Sequence, residues 1–149
     1  MTMNIKDLLS LELGATVSIF NEPFAYVGHA LIELDGGQKM RWIYDDNDRM
    51  LSIMPDDDEL MLFETVDDEL EPDNEMILYQ GKEYEFSYED AGKVIEVEAE
   101  TATEEEDRFM FADYETSGGG IVRLISNENT GESHVYWGRM VSEDDLASL

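Results

Sequence analysis

From residue 15 to residue 138 the chain changes face at every second residue, and turn-forming residues keep cutting the pattern short. In Glu83-Tyr84-Glu85-Phe86-Ser87-Tyr88 three aromatics share one side and polar groups the other; Ile95-Glu96-Val97-Glu98-Ala99 does the same with aliphatics. A period of two marks a strand half buried in a sheet, because successive side chains point to opposite faces. Leu60-Met61-Leu62-Phe63 and Ile121-Val122-Arg123-Leu124-Ile125 are apolar enough for central strands. Asp35-Gly36-Gly37, Gln80-Gly81-Lys82 and Asn129-Thr130-Gly131 have the composition of hairpin turns. About eleven short strands result. Only Thr2 to Leu11 reads as helix: Asn4 caps it, Asp7 favours its first turn, Ile5, Leu8 and Leu9 have helical spacing, and Gly14 stops it. The expected class is all-β with one short N-terminal helix, in a single domain spanning 1–149. The helix takes 1–13, a first β half 14–70 and a second β half 76–146.

The halves resemble each other. Phe20 to Tyr26 parallels Tyr79 to Phe86, a turn flanked by aromatics. Leu31-Ile32-Glu33-Leu34 parallels Val94-Ile95-Glu96-Val97, and Trp42-Ile43-Tyr44 parallels Phe109-Met110-Phe111. Met50 to Ile53 and Arg123 to Ile125 correspond less closely, and both halves end in an acidic stretch before a leucine, Leu70 and Leu146. Two pseudo-repeated antiparallel meanders, each with one apolar face to cover, are expected to form a sandwich or a pair of fused small barrels. Trp42 and Trp137 are assigned to the core.

Charge is the second constraint. The chain carries 37 Asp and Glu against 9 Lys and Arg, a net −28. That excludes direct binding to nucleic acid or to an anionic membrane, both of which demand a basic face. With no cysteine, disulfides, thiolate metal sites and cysteine catalysis are excluded as well. Hydrophobic residues still make up 42%, enough for a folded core. Residues 45–107 hold 25 acids and three bases, a net −22. The candidate acidic interaction surface is Asp45, Asp46 and Asp48; Asp56, Asp57, Asp58 and Glu59; Asp67, Asp68 and Glu69; and Glu104, Glu105, Glu106 and Asp107. Each run falls where a turn is expected, and such runs also keep sheet edges from pairing.

Signals for catalysis are thin. His29 and His134 are candidate bases, but no nucleophile motif accompanies either, so both read as structural or surface residues. Asp45-Asp46-Asn47-Asp48 and Asp56-Asp57-Asp58-Glu59 supply hard oxygen ligands without the spacing of a calcium loop, and adjacent strand residues point apart. No cofactor and no defined metal site is expected. Ser117-Gly118-Gly119-Gly120 lacks the Lys-Ser/Thr of a phosphate loop and reads as a hairpin connection. If residues 45–107 covered half of a surface of roughly 7,700 Å², their charge density would lie within about a factor of two of duplex DNA. Mimicry of nucleic acid is therefore one alternative reading and a divalent-cation-binding module another.

Tyr79-x-Gly81-Lys82-x-Tyr84, Val94-x-x-Val97, Asp113-Tyr114 and Tyr136-x-Gly138, with Leu8 to Gly14 and Trp42-x-Tyr44 in the first half, resemble an uncharacterised bacterial family, domain of unknown function 4178. The family's usual Gly-Glu after the valine pair is replaced by Glu98-Ala99-Glu100. The resemblance implies a small cytoplasmic protein, often encoded beside membrane-stress proteins of the phage-shock type, and brings no activity or site residues. The expectation is a soluble bacterial accessory module without catalysis, binding a basic or membrane-associated protein through the acids of residues 45–107, with its oligomeric state open.

Overall fold

The computed structural model describes residues 4–67, 69–99 and 105–148, with backbone alone at Ala99 and Ser148. A helix, α1 (Ile5–Leu9), opens the chain. Asn4 caps it reciprocally: its side chain accepts from the Asp7 N–H at 2.9 Å, and the Asp7 carboxylate accepts from the Asn4 N–H at 3.1 Å. The helix stops at Leu9, earlier than the spacing suggests, where the Ser10 hydroxyl donates to the Lys6 carbonyl. One turn is enough to bury Ile5 and Leu8.

Twelve strands follow among the described residues: β1 (Thr16–Ile19), β2 (Glu22–Ala25), β3 (Gly28–Leu34), β4 (Lys39–Tyr44), β5 (Arg49–Met54), β6 (Glu59–Val66), β7 (Met76–Tyr79), β8 (Lys82–Ala99), β9 (Arg108–Glu115), β10 (Gly120–Asn127), β11 (Ser133–Met140) and β12 (Leu146–Ser148). No helix among them is long and apolar enough to cross a membrane.

Strands β3 to β6 form one antiparallel meander and β8 to β11 a second. Antiparallel β6–β11 and β3–β8 pairings join them at both sides, so the eight strands close into one barrel. This differs from the sandwich or pair of fused barrels expected from sequence. Each meander would otherwise keep two unpaired edges, and closure removes all four.

The barrel interior takes the inward residues of each strand, among them Ala30, Ile32, Met40, Trp42, Met50, Phe63, Phe109, Phe111 and Ile125. Trp42 packs edge-on against Phe109 and Phe111 at ring-centre distances of 5.7 and 6.4 Å. Two covers lie outside. The outward residues Ile43, Leu51, Ile53 and Leu60 meet α1 and a three-stranded sheet, β12–β1–β2. On the second meander, Val122, Leu124 and Trp137 meet Ile77 of β7 and Tyr84 at the start of β8. Trp42 is therefore central, whereas Trp137 lies under a cover and donates its indole N–H to the Tyr84 hydroxyl at 3.0 Å. Both covering hairpins turn through two residues with positive φ, Phe20-Asn21 and Gln80-Gly81.

Each inter-meander seam contains a glycine that admits a close backbone approach. A Cβ on Gly138 would lie 2.0 Å from the Leu62 carbonyl oxygen of β6, and one on Gly92 would lie 2.6 Å from the Glu33 carbonyl oxygen of β3. Gly138→Ala and Gly92→Ala should each cost at least about 1–3 kcal/mol. Gly36→Ala, at a position that faces open space and has no positive φ of its own, serves as the control. Thermal melts check this; equal melting temperatures for all three would show that the seams are not tight.

Candidate functional site

Strand direction sorts the acidic runs. The β4–β5, β6–β7, β8–β9 and β10–β11 connections leave the barrel at one end, and the β3–β4, β5–β6 and β9–β10 connections at the other. Asp46, Asp48, Asp67, Glu69, Glu105, Glu106 and Asp107 thus belong to the first end, and Asp56, Asp57, Asp58 and Glu59 to the second. The candidate surface is divided between the two. Asp68 and Glu104 lie outside the described residues.

Asp45 is no surface residue. Its side chain is fully enclosed; it accepts from the Asn47 and Arg49 N–H groups at 2.9 and 2.8 Å and from Arg49 Nε at 2.7 Å. It shapes the β4–β5 turn. Beside that turn runs a groove of about 810 Å³, lined by Asp48, Asp67, Glu69, Glu71, Ser133 and His134 among others. Its carboxylates come from the β4–β5 and β6–β7 connections, and among the described residues no Lys or Arg lines it.

The other end opens into a smaller cleft, about 330 Å³, lined by Met54, Asp57, Glu59, Tyr88, Asp113 and Glu115 among others. Ser87 hydrogen-bonds to Glu115, and the Tyr88 hydroxyl donates to the Asp90 carboxylate at 2.5 Å. Partial burial raises the Glu59 carboxyl above its usual range; Arg123 opposes the shift, while Asp113, Asp57 and Glu115 add to it. The Tyr88 phenol is raised by burial first and by its bond to Asp90 second.

Beneath this cleft, inside the barrel, lies a buried ion pair. Arg123 of β10 donates to both oxygens of Asp113 of β9, from Nε at 2.6 Å and Nη2 at 2.8 Å. Nη1 donates to the Ser52 hydroxyl at 2.8 Å. The guanidinium stacks between Phe63 and Phe111, 4.7 Å from each ring centre. Both side chains are almost fully enclosed.

The histidines lie apart. His29, buried on β3, bonds through Nδ1 to the Tyr26 hydroxyl, and its Nε2 is 3.5 Å from Glu96 and 4.0 Å from Glu98 of β8. This clip ties the segment after β2 to the β3–β8 seam. Burial, then Glu98, raises the Tyr26 phenol, so it is no ready nucleophile. His134 is exposed in the acidic groove. Among the described residues, no group of three or more His, Asp or Glu is placed to hold a metal ion. The Ser117-Gly118-Gly119 segment is the β9–β10 hairpin connection, with both glycines at positive φ.

The sequence reading did not single out the cleft or the pair beneath it. One signal was present: Arg123 interrupts an otherwise apolar run, on the face shared by Ile121 and Ile125. A charge at that inward position demands a partner, and Asp113 occupies the inward face of the neighbouring strand.

Residues 12–143 match the family described as Domain of unknown function (DUF4178). No curated protein and no solved structure matches the chain.

Removing one partner of the buried pair strands the other charge, so Asp113→Leu and Arg123→Met should each cost about 3–5 kcal/mol. The combined Arg123→Met/Asp113→Leu variant should recover most of that loss in chemical denaturation; losses that simply add would refute the coupling. Glu59 gives a pH test. Its raised folded value means its contribution is fully present below the ordinary glutamate range and is lost as pH rises through the raised value. At pH 7 the ionised group is a cost, so Glu59→Gln should melt higher than the parent there. The gap should close on acidification, and a pH-independent gap would count against burial as its cause.

Proposed function

The chain belongs to that family, whose description assigns no activity, and from that premise we propose a non-catalytic protein-binding module that receives a basic partner at the β4–β5/β6–β7 end of the barrel. The observation that carries the reading is the groove in which Asp48, Asp67, Glu69 and Glu71 converge from two connections with no Lys or Arg among them. Like charges held together in this way cost stability unless an opposite charge arrives, and they speed encounter with one that does. Division of the acidic runs between two ends favours this local reading over mimicry of a continuous duplex. His29 is held by Tyr26 and Glu96, which suits a structural clip better than a catalytic base. A cytoplasmic setting and a partner linked to a membrane-stress system belong to the same proposal, supported by the family resemblance alone.

The same reading takes the two meanders as copies of one ancestral unit. In support, each is preceded by a hairpin with a two-residue positive-φ turn, and each hairpin covers its own meander's outer face. The groove then belongs to loops that differ between the copies, where new recognition is free to arise.

Affinity capture from the native host, with two charge-neutralised variants, tests the proposal. Asp46→Asn/Asp48→Asn/Asp67→Asn/Glu69→Gln should lose a stoichiometric basic protein that the parent retains. Asp56→Asn/Asp57→Asn/Asp58→Asn, at the other end, should retain it. Equal loss from both variants would mean generic electrostatics and overturn the site.

A further inference from the structure

The cleft at the opposite end has a chemistry of its own. Met54, Met61 and Ile121, all buried, form its floor, and Tyr88, 39% exposed, provides an aromatic wall. Asp57, Glu59, Asp113 and Glu115 bring carboxylates from the β5–β6 connection, β6 and β9. Among the described residues no Lys or Arg lines the cleft. Arg123, below the cleft, is already committed to Asp113 and Ser52.

The barrel itself shows what such surroundings hold. One level deeper, the Arg123 guanidinium rests between two aromatic rings and donates to a carboxylate. The cleft repeats those partners, an aromatic ring and carboxylates over an apolar floor; Asp113 is taken up by Arg123, which leaves Asp57, Glu59 and Glu115 to meet an incoming cation. We infer that the cleft receives one guanidinium or ammonium group, carried on an arginine or lysine side chain of another polypeptide. Such a side chain lays its alkyl stem on Met54 and Met61 and sets its charged head between Tyr88 and the carboxylates. The volume, about 330 Å³, is at the lower end of the roughly 300–1,000 Å³ typical of ligand pockets, which suits one long side chain. A compact metal ion fits less well, because no group of three or more acidic or histidine side chains among the described residues is placed to enclose one. The cleft and the acidic groove lie at opposite ends, so this inference stands whether or not the groove binds a partner.

Titration of isotope-labelled protein followed by amide chemical shifts tests it, at constant ionic strength. The probes are arginine amide, lysine amide, an Ala-Arg-Ala amide and an Ala-Glu-Ala amide. Saturable shifts confined to the surroundings of Met54, Glu59, Tyr88 and Ile121 are expected with the three cationic probes and not with the acidic one. Tyr88→Ala should weaken binding about tenfold, the scale of a partly desolvated cation–aromatic contact. Glu59→Gln, which should fold at least as stably as the parent, should weaken it by about threefold or more, given the 0.5–1.5 kcal/mol typical of a hydrogen bond. Asp46→Asn, at the other end, should leave it unchanged. Shifts that never saturate, that spread over every acidic run, or that survive Glu59→Gln intact would overturn the site. Binding of arginine amide with exclusion of Ala-Arg-Ala would overturn the polypeptide source.

Discussion

A charge enclosed in a closed barrel cannot be relieved by rotating its side chain into water, so it must be matched where it stands. Arg123 is matched from four directions: Asp113 on the adjacent strand, Ser52 across the barrel on β5, and the rings of Phe63 and Phe111 above and below. These partners belong to β9, β5, β6 and β9 again, so the guanidinium couples the two meanders through the interior. The seams couple them through the backbone. An apolar core of similar volume would fill the same space, but it would not specify which inward positions of the two meanders face each other. Polar groups that are satisfied in only one alignment do specify it. The coupling also accounts for the character of the cleft above. Asp113 lines the cleft but its charge is held by Arg123, so the negative potential at the mouth is left to Asp57, Glu59 and Glu115.

The outer covers follow from the same closure. Closing eight strands leaves an outer face that is still apolar at Ile43, Leu51, Ile53 and Leu60 on one side and at Val122, Leu124 and Trp137 on the other. The β1–β2 hairpin with α1 seals the first, and the β7–β8 hairpin seals the second. This explains runs such as Leu60 to Phe63, in which neighbouring residues are apolar although they point to opposite faces. In β6, Met61 and Phe63 fill the interior while Leu60 lies beneath a cover. Simple alternation belongs to strands with a wet face, and its absence marks the strands covered twice.

That distinction sets how much could be read in advance. The all-β class, the cap at Asn4 and the hairpin turns all rest on local rules, which a linear sequence displays directly. Closure does not. Whether β6 pairs with β11 depends on contacts between residues such as Phe63 and Gly138, far apart in the chain, and no local pattern states them. Gly138 illustrates the difference. Within Tyr136-x-Gly138 it is only a recurrent glycine, and its meaning appears when the Leu62 carbonyl is found where a side chain would stand. The acidic runs behave alike: their positions in turns were legible, but which end each turn serves depends on strand direction around the barrel. Asp45 was misassigned for a related reason. An Asx turn and a solvated acid have the same composition, and only the two N–H groups converging on one carboxylate oxygen separate them.

The excess of negative charge is tolerable because the architecture confines it. A closed barrel has no free edge along which repelling strands could separate, and the acids it encloses are matched, Asp113 by Arg123 and Asp45 by Arg49. Most of the other described acids lie at the ends and outer rims, where water and counter-ions screen them within roughly a Debye length of 8–10 Å. Screening is weaker in a concavity than on a convex rim, because low-dielectric walls focus the field there. The groove beside Asp48 and the cleft beside Glu59 are therefore two places where the chain's charge is screened less than on its rims. They differ in what else they offer. The groove is wide and edged by acidic loop residues beside residues of β6 and β11, proposed to take an extended basic surface; the cleft has an aromatic wall and an apolar floor, proposed to take a single side chain. A fold that had only to tolerate its charge would have no need to shape it into two concavities of different chemistry.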